Sequence, residues 1–431
     1  MTRGELMGEY RIKGGKRLKG EVRIGGSKNA VLPIFAATVL NGSESILHNC
    51  PLIQDTFISI EILKHIGCTV TIEKSNHGDK FGNTIIVDSS KAHNWNVPEK
   101  FTNMMRSSVL FMGSLLGRFG KADISFPGGC KLGNRPIDMH VKSLKKMGAA
   151  IKTGDMLCCR TMQMQGTQIH LDFPSVGATE NIMLAAALSI GETVILNAAR
   201  EPEIVDLEHF LNGMGAKIKG AGTSTIVING AEKLHSVEHS VMPDRIVAGT
   251  YLTAVAITGG EVSLVDIWPR DIVPVTAKLA EMGCQISETG NTITLKAPPR
   301  LQYVSKLETS PHPGFPTDLQ APFVTALSVA DGTSVVAENI FSCRFGHVPE
   351  LQRMGADIMV MQDGRNFVVR GVEQLKGASV EATDLRCGAA LILAGLVAEG
   401  ETTVTNSHHV ERGYQQIELD LQAIGANISY H

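Results

Sequence analysis

Long apolar runs are missing from this chain. No segment approaches the roughly 18 apolar residues that a membrane-spanning helix needs, although 43% of the 431 residues are hydrophobic. Residues 1–19 are basic and contain several glycines, but they include no apolar stretch suited to a signal peptide. We therefore expect a soluble, cytoplasmic protein that makes no use of a membrane.

Aromatic residues are also scarce, at 5% of the chain, and neither sign of charge dominates. Forty basic and 43 acidic residues leave a formal net charge of −3. A nucleic-acid-binding protein needs a basic surface or aromatic side chains on which bases can stack. The composition therefore argues against nucleic acid as a partner, and any anionic ligand must be bound by a local cluster of cations.

The cysteines include no Cys-x-x-Cys pair. The eight cysteines stand at positions 50, 68, 130, 158, 159, 284, 343 and 387. Such a spread in a long chain is typical of reduced thiols rather than of a disulfide framework. The cysteines and histidines also show no spacing typical of a metal site, so none is predicted. We interpret the pair His408 and His409 as the polar edge of a strand.

What the chain does contain is one short pattern that occurs six times. It consists of Leu, two residues, Met or Ile, Gly, Ala or Cys, one residue, and Ile or Val. Its glycines, 67 to 81 residues apart, are Gly67, Gly148, Gly215, Gly283, Gly355 and Gly425. The leucine and the residue three positions later share a helix face, and glycine supplies a left-handed cap before a strand begins. We predict six copies of one structural unit, each with an amphipathic helix that ends at the glycine.

A second type of helix alternates with the first and is apolar nearly all round. Its six copies include residues 30–40, 109–116, 181–188, 250–257, 321–329 and 389–397. A helix without a polar face must be buried on every side. We therefore predict an α/β fold with two lobes, each an inside-out barrel of three repeated units around buried central helices. We expect a cleft between the lobes and a linker within Glu232–Asp244, a polar stretch without strong periodicity.

Charged and hydroxyl-bearing residues stand at the start of every buried helix. They are Lys28–Asn29, Arg106–Ser108, Ser175–Thr179, Asp244–Arg245, Thr317–Asp318 and Asp384–Arg386. Helix starts present unpaired N–H groups and the positive end of the helix dipole, and Lys or Arg beside them strengthens the attraction for anions. Any one of these residues alone fits an ordinary helix cap. Their recurrence in all six copies predicts an anion site assembled from several helix ends.

A glycine-rich segment at 126–136 carries Cys130 close to two cations, Lys131 and Arg135. Neighbouring cations favour the thiolate, which nucleophilic or proton-donating cysteine chemistry requires. We interpret Cys130 as a reactive thiol and the other seven cysteines as small buried hydrophobes.

With this segment and several others, the chain resembles the MurA family, the UDP-N-acetylglucosamine 1-carboxyvinyltransferases, over nearly its whole length. The matching segments are 26–33, 127–130, 135–138, 172–181, 201–206, 311–318, 382–386 and 412–414. The resemblance implies the enolpyruvyl transferase fold, in which the N-terminal strand joins the second lobe. The implied lobes are residues 28–242, which carry Cys130, and residues 1–27 plus 243–431.

The resemblance also implies an activity, the transfer of enolpyruvyl from phosphoenolpyruvate to the 3′-hydroxyl of UDP-N-acetylglucosamine with release of phosphate. This reaction is the first committed step of peptidoglycan synthesis and uses no metal or organic cofactor. The enzymes of the family are targets of fosfomycin. Cys130 is similar to the family's proton-donating cysteine, and Asp318 to the carboxylate at the attacking hydroxyl. Lys28, Arg135 and Arg412 resemble the clamp for phosphate and carboxylate, with Arg344 and Arg386 beside it. The implied nucleotide-sugar contacts are Asn29, Arg106, Arg135, Pro136, Ile137, Asp138, Met139, Ser175, Val176, Gly177, Asp318 and Ile340.

The chain departs from the family pattern at Asn103, at Val247 and at Ser342–Cys343. Two alternatives remain open at this stage. One is the sibling enolpyruvyl transferase that acts on 3-phosphoshikimate, although it lacks the Gly-Gly-Cys segment. The other is a regulatory paralogue that binds nucleotide sugar with weak or no catalysis. The sequence does not indicate an oligomeric state.

Overall fold

The structure is a computed structural model of the chain, and it describes residues 8–74, 82–126, 137–362 and 364–431. In these residues the helices are α1 (Lys28–Ala37), α2 (Gln54–Ile66), α3 (Glu99–Thr102), α4 (Phe111–Phe119), α5 (Asp138–Lys146), α6 (Val176–Ala186), α7 (Pro202–Gly213), α8 (Arg245–Ile257), α9 (Val273–Glu281), α10 (Gln320–Val329), α11 (His347–Arg353), α12 (Leu385–Val397), α13 (His408–Glu411) and α14 (Ile417–Ala423). Short 3-10 helices span Arg106–Leu110, Pro269–Asp271 and Thr317–Leu319.

The strands of the described residues are β1 (Tyr10–Lys13), β2 (Lys19–Arg23), β3 (Glu44–His48), β4 (Thr69–Glu73), β5 (Thr84–Asp88), β6 (Asn96–Val97), β7 (Lys121–Ser125), β8 (Ala150–Thr153), β9 (Met156–Arg160), β10 (Gln168–His170), β11 (Glu192–Leu196), β12 (Lys217–Lys219), β13 (Thr225–Asn229), β14 (Val237–Ser240), β15 (Glu261–Val265), β16 (Gln285–Thr289), β17 (Thr292–Lys296), β18 (Lys306–Glu308), β19 (Thr333–Ala337), β20 (Asp357–Val360), β21 (Asn366–Arg370), β22 (Ser379–Glu381), β23 (Glu401–Thr405) and β24 (Asn427–Tyr430).

The described chain divides into two compact units. We call residues 25–126 and 137–242 the middle unit, and residues 8–24 together with Pro243–His431 the terminal unit. The lobe limits expected from the sequence, 28–242 and 1–27 plus 243–431, stay a prediction.

Each unit contains three four-stranded sheets with the same pattern of parallel and antiparallel pairing. In the sheet β10-β11-β13-β12, for example, the edge strand β10 runs parallel to β11, and β13 pairs antiparallel with both β11 and β12. The other sheets of the middle unit are β14-β3-β5-β4 and β6-β7-β9-β8, and those of the terminal unit are β16-β17-β15-β2, β18-β19-β21-β20 and β22-β23-β1-β24. One supersecondary unit therefore recurs six times, as the sequence pattern predicted.

Two of the sheets are completed by strands from the start of the described chain. β1 lies between β23 and β24, with Tyr10 opposite Val404 and Tyr430. β2 pairs in parallel with β15. β1 and β2 thus pair with strands of the terminal unit.

The six signature glycines all adopt positive φ angles, between 91° and 106°. A side chain is strained in this left-handed region, whereas glycine is not. Each glycine follows the end of an amphipathic helix and stands two positions before a strand; Gly67, for instance, caps α2, and β4 begins at Thr69. The predicted role of the repeated pattern is confirmed.

The apolar helices form the centre of each unit. α1, α4 and α6 contact one another in the middle unit, and α8, α10 and α12 do so in the terminal unit. In α12 every residue from Leu385 to Leu396 is buried, whereas α5, an amphipathic helix, buries only His140, Ser143 and Leu144. The predicted arrangement of central helices with sheets and amphipathic helices around them is confirmed.

The boundary between the two units, after Met242, falls within Glu232–Asp244, where the linker was expected. Part of this stretch has regular structure, because Val237–Ser240 forms β14, which pairs in parallel with β3, and Asp244 caps α8. One local prediction is wrong. His408 and His409 begin the short helix α13 rather than edging a strand. β14 and α13 are short and polar, so they lack the apolar periodicity that would have identified them.

No helix in the described ranges combines the length and the apolar character that crossing a membrane would require.

Replacement of a central-helix leucine tests the importance of this core. Leu391 in α12 is fully buried, so Leu391→Ala is expected to lower the free energy of unfolding by about 2–5 kcal/mol. The same substitution at Leu419 in α14, which is 45% exposed, is expected to change it by less than about 0.5 kcal/mol. Urea unfolding followed by circular dichroism measures both, and equal losses would contradict the arrangement.

Candidate active site

Polar side chains cap the N-termini of four central helices. Each caps the helix by accepting a backbone N–H. Ser27 accepts from Ala30 (3.3 Å), Ser175 from Ala178 (3.4 Å), Asp244 from Ile246 (2.8 Å) and Asp384 from Arg386 (2.8 Å). Ser175, predicted as a nucleotide-sugar contact, therefore has a structural role as well. Val176 and Gly177 follow it in the first turn of α6.

In the terminal unit, Asp318 lies between two arginines. Its Oδ1 accepts from Arg344 at 2.8 Å and its Oδ2 accepts from Arg386 at 2.9 Å. The side chains of Arg344 and Arg386 are 5% and 4% exposed, whereas that of Asp318 is 25% exposed. Charge-assisted bonds of this length are the strong ones. The arginines thus fix a carboxylate that is itself partly accessible.

The Arg386 guanidinium is held from behind by Tyr414. Arg386 donates to the Tyr414 hydroxyl at 3.2 Å, and this hydroxyl shares a 2.8 Å hydrogen bond with Thr250. Burial alone would lower the pKa of Arg386, but Asp318, Tyr414 and Asp244 outweigh burial and hold this pKa above its ordinary value. Arg412, predicted as part of the anion clamp, is half-buried and lies two residues before Tyr414.

In the middle unit, Lys28 is the first residue of α1 and pairs with Asp55 of α2. The Lys28 Nζ lies 3.0 Å from an Asp55 oxygen, and the two side chains are 13% and 2% exposed. Asn29 follows Lys28 and is half-buried. Asp55 was not among the predicted site residues, although its position in the first turn of an amphipathic helix was available as a signal.

The start of α5 approaches the start of α6 through His140. His140 is buried, and its Nδ1 lies 2.8 Å from the Asn181 side-chain nitrogen. Because Asn181 Oδ1 accepts from the Gly113 N–H, its nitrogen must donate to His140. Gly177 makes room for the ring, since a Cβ there would lie 3.2 Å from His140 Cε1. Burial, and then the nearby Arg106, lower the pKa of His140 to about 4, against the opposing effect of Asp138.

His140 therefore joins several predicted nucleotide-sugar residues within this unit: Arg106, Asp138 and Gly177. Sequence reasoning missed it. A single polar residue on the buried side of α5 was the only available signal, and such a histidine more often belongs to the core.

The remaining predicted residues are distributed as follows. Ile137 precedes α5, and Asp138 and Met139 begin it. The N–H of Ile340 is already bonded to Glu338 at 2.9 Å, so only its carbonyl and side chain are open to a ligand. Cys130, Arg135 and Pro136 lie outside the described residues.

Comparison with known proteins gives consistent results. A family model described as EPSP synthase (3-phosphoshikimate 1-carboxyvinyltransferase) matches residues 12–421. UDP-N-acetylglucosamine 1-carboxyvinyltransferase 2 of Caldanaerobacter subterraneus subsp. tengcongensis is 51% identical over 98% of this chain and 99% of its own. UDP-N-acetylglucosamine 1-carboxyvinyltransferase 1 of Symbiobacterium thermophilum is 50% identical over 97% of this chain and 94% of its own. The chain belongs to the MurA family.

Solved structures support the fold of this MurA-family chain. The enolpyruvyl transferase NikO from Streptomyces tendae superimposes with a TM-score of 0.87 at 25% identity, over 99% of both chains. EPSP synthase from Acinetobacter baumannii gives 0.72 at 19% identity, over 98% of this chain and 100% of its own, and supports the fold alone. The fold and family predicted from the sequence are confirmed, and the relatives' names favour that family over the shikimate sibling.

The buried His140 makes the free energy of unfolding of the MurA-family chain depend on pH. An unfolded histidine takes up a proton near pH 6.5, whereas folded His140 does so near pH 4. Its contribution to stability is complete above pH 6.5 and is lost as the pH falls towards 4. Between pH 7 and pH 5 this loss is about 2 kcal/mol.

In His140→Asn the amide oxygen can still accept from Asn181, but the group does not titrate. We expect the free energy of unfolding of this variant to fall by about 2 kcal/mol less than that of the wild type between pH 7 and pH 5. Urea unfolding at both pH values gives the comparison. Parallel losses in the two proteins would contradict a buried neutral His140.

Proposed function

We propose that this protein transfers the enolpyruvyl group of phosphoenolpyruvate to the 3′-hydroxyl of UDP-N-acetylglucosamine and releases inorganic phosphate. It is a transferase of peptidoglycan synthesis, acts in the cytoplasm at the first committed step, and requires no cofactor. The names of relatives about 50% identical over nearly the full chain support this activity.

The observation that carries the proposal is the carboxylate of Asp318 between Arg344 and Arg386. A carboxylate can only accept hydrogen bonds, and this one keeps exposed surface after both arginines have bound it. It is suited to receive the proton of a hydroxyl group that attacks a carbon atom. The adjacent cations are suited to anionic substrates.

The proposed reaction is an addition followed by an elimination. A proton adds to the methylene carbon of phosphoenolpyruvate while the sugar hydroxyl oxygen bonds to the neighbouring carbon and gives its proton to Asp318. In the resulting tetrahedral ketal, the methyl carbon then loses a proton and the C–O bond to phosphate breaks. Fixed cations stabilise the departing phosphate without rearranging. Cys130, outside the described residues, is the proposed proton donor.

The other predicted residues complete the proposal. Lys28, Arg135 and Arg412 clamp the phosphate and carboxylate of phosphoenolpyruvate, with Arg344 and Arg386 beside them. The nucleotide sugar contacts Asn29, Arg106, residues 135–139, Ser175–Gly177, Asp318 and Ile340. Lys28 is supported by its fixed pairing with Asp55, which directs the ammonium group at the start of α1.

The test is incubation with both substrates, with phosphate release and the mass of the product as readouts. The wild type should release phosphate and form the enolpyruvyl nucleotide sugar. Asp318→Asn should lower kcat by at least about 100-fold because an amide is a poor proton acceptor. Binding of UDP-N-acetylglucosamine, followed by calorimetry, should persist in this variant.

Asp357→Asn is the matched control, because Asp357 pairs with Arg370 on the surface, where both side chains are more than half exposed; it should keep the wild-type rate. Phosphate release with 3-phosphoshikimate in place of the nucleotide sugar would favour the sibling enzyme. Nucleotide-sugar binding without phosphate release would favour a regulator.

A reactive Cys130 should be selectively alkylated by fosfomycin, an epoxide phosphonate that a thiolate opens by forming a C–S bond. Peptide mass spectrometry should find the adduct on Cys130 and none in Cys130→Ser. Cys343 is exposed, contrary to the prediction that the other seven cysteines are buried. Cys343→Ser is therefore the control and should be labelled like the wild type. An adduct that appears first on Cys343 would remove Cys130 from its proposed role.

A further inference from the structure

Glu338 is a buried carboxylate that no predicted role explains. It directly follows β19 and has no exposed surface. One oxygen accepts the backbone N–H groups of Ile340 at 2.9 Å and Phe341 at 3.0 Å. The other accepts the hydroxyl of Thr317 at 2.9 Å. Within the described part of the chain, Glu338 forms no ion pair. Three hydrogen bonds therefore compensate for the burial of this charge.

The hydrogen bonds of Glu338 determine which group donates in the bond between Thr317 and Arg344. Because a carboxylate cannot donate, Thr317 must give its hydroxyl proton to Glu338. The Thr317 oxygen is then available as an acceptor, and it receives a hydrogen bond from Arg344 at 2.9 Å. A second nitrogen of the same guanidinium donates to Asp318 at 2.8 Å. The series Glu338, Thr317, Arg344, Asp318 thus has one possible polarity.

Arg344 depends on this series for its orientation. Its Nε is buried and finds no acceptor in the ranges that the structure describes. The hydrogen bonds that orient the Arg344 guanidinium are therefore those to Thr317 and Asp318. The ring of Phe341 lies 5.2 Å from the guanidinium carbon, and the Phe341 N–H is bound to Glu338. Glu338 therefore supports Arg344 both through Thr317 and through Phe341.

We propose that Glu338 and Thr317 are positioning residues for the transfer reaction: they orient Arg344 and, through it, the carboxylate of Asp318. This inference rests on the proposed function, since it gives Asp318 its substrate. Neither residue needs to touch a substrate. Their effect is to hold the proton acceptor in one geometry before the nucleotide sugar binds, and a displacement of about 1 Å at such a group can cost about 100-fold in rate.

Thr317→Val is the direct test, because valine keeps the shape of threonine and removes only the hydroxyl. We expect kcat to fall by about 10-fold to 100-fold, with the KM for phosphoenolpyruvate within about threefold of the wild type. Thr317→Ser, which restores the hydroxyl, should recover most of the rate. The matched control is Thr402→Val, because the Thr402 hydroxyl is buried in the same unit but has no partner in the described ranges.

Glu338→Gln tests the polarity of the series. Its amide oxygen can still accept from Ile340 and Phe341, but the NH2 group then points at Thr317 and forces its hydroxyl to accept. We expect the same fall in kcat as in Thr317→Val. The double variant should be no worse than about threefold below the slower single variant, because both changes break one series.

Several outcomes would overturn the inference. They are a wild-type rate in Thr317→Val, an equal loss in Thr317→Ser, and multiplicative losses in the double variant. If Glu338→Gln fails to fold, the comparison of Thr317→Val with Thr317→Ser still tests the inference. A wild type that binds UDP-N-acetylglucosamine but releases no phosphate would instead refute the proposed function, and the inference with it.

Discussion

A helix that is apolar on every side can present polar groups only at its ends, and each unit of this protein is built around three such helices. The sides of α8, α10 and α12 pack against one another and against sheets, so they cannot carry a binding site. Their first turns still have N–H groups to satisfy. Asp244 and Asp384 satisfy those of α8 and α12. Burial of the helices thus decides where polar chemistry can occur.

The same constraint explains why the charges at these ends form networks. An isolated buried charge would cost several kcal/mol, and the buried Arg386 and Glu338 of the terminal unit are each fixed by partners. Arg386 is held by Asp318 and Tyr414, and Glu338 by two backbone N–H groups and a hydroxyl. Such networks add little net stability, because desolvation offsets attraction. The networks instead restrict the buried side chains to few alternative conformations.

Repetition made the fold predictable. The six glycine caps and the six apolar helices carry periodic signals, and these gave the inside-out architecture from the sequence alone. Strand β14 and helix α13 were not predicted, because a strand or helix of four residues contains too little periodicity. Within the candidate site, Asp318 and Arg386 were indicated by their place at helix starts and the resemblance added their roles, whereas Glu338 and His140 were not predicted. Their importance depends on which groups meet in space, and nothing in their immediate sequence records that.

The pairing of β1 has a consequence for how the terminal unit is made. Tyr10 lies opposite Val404 and Tyr430. β1 therefore remains unpaired until segments about 400 residues further along the chain have been synthesised. Residues 25–242 can complete their own sheets first. The terminal unit closes last, and until then β1 has neither of its neighbouring strands, so its two open edges are available for pairing with other chains. The order of synthesis therefore makes this one sheet the step at which assembly of the protein is most exposed to error.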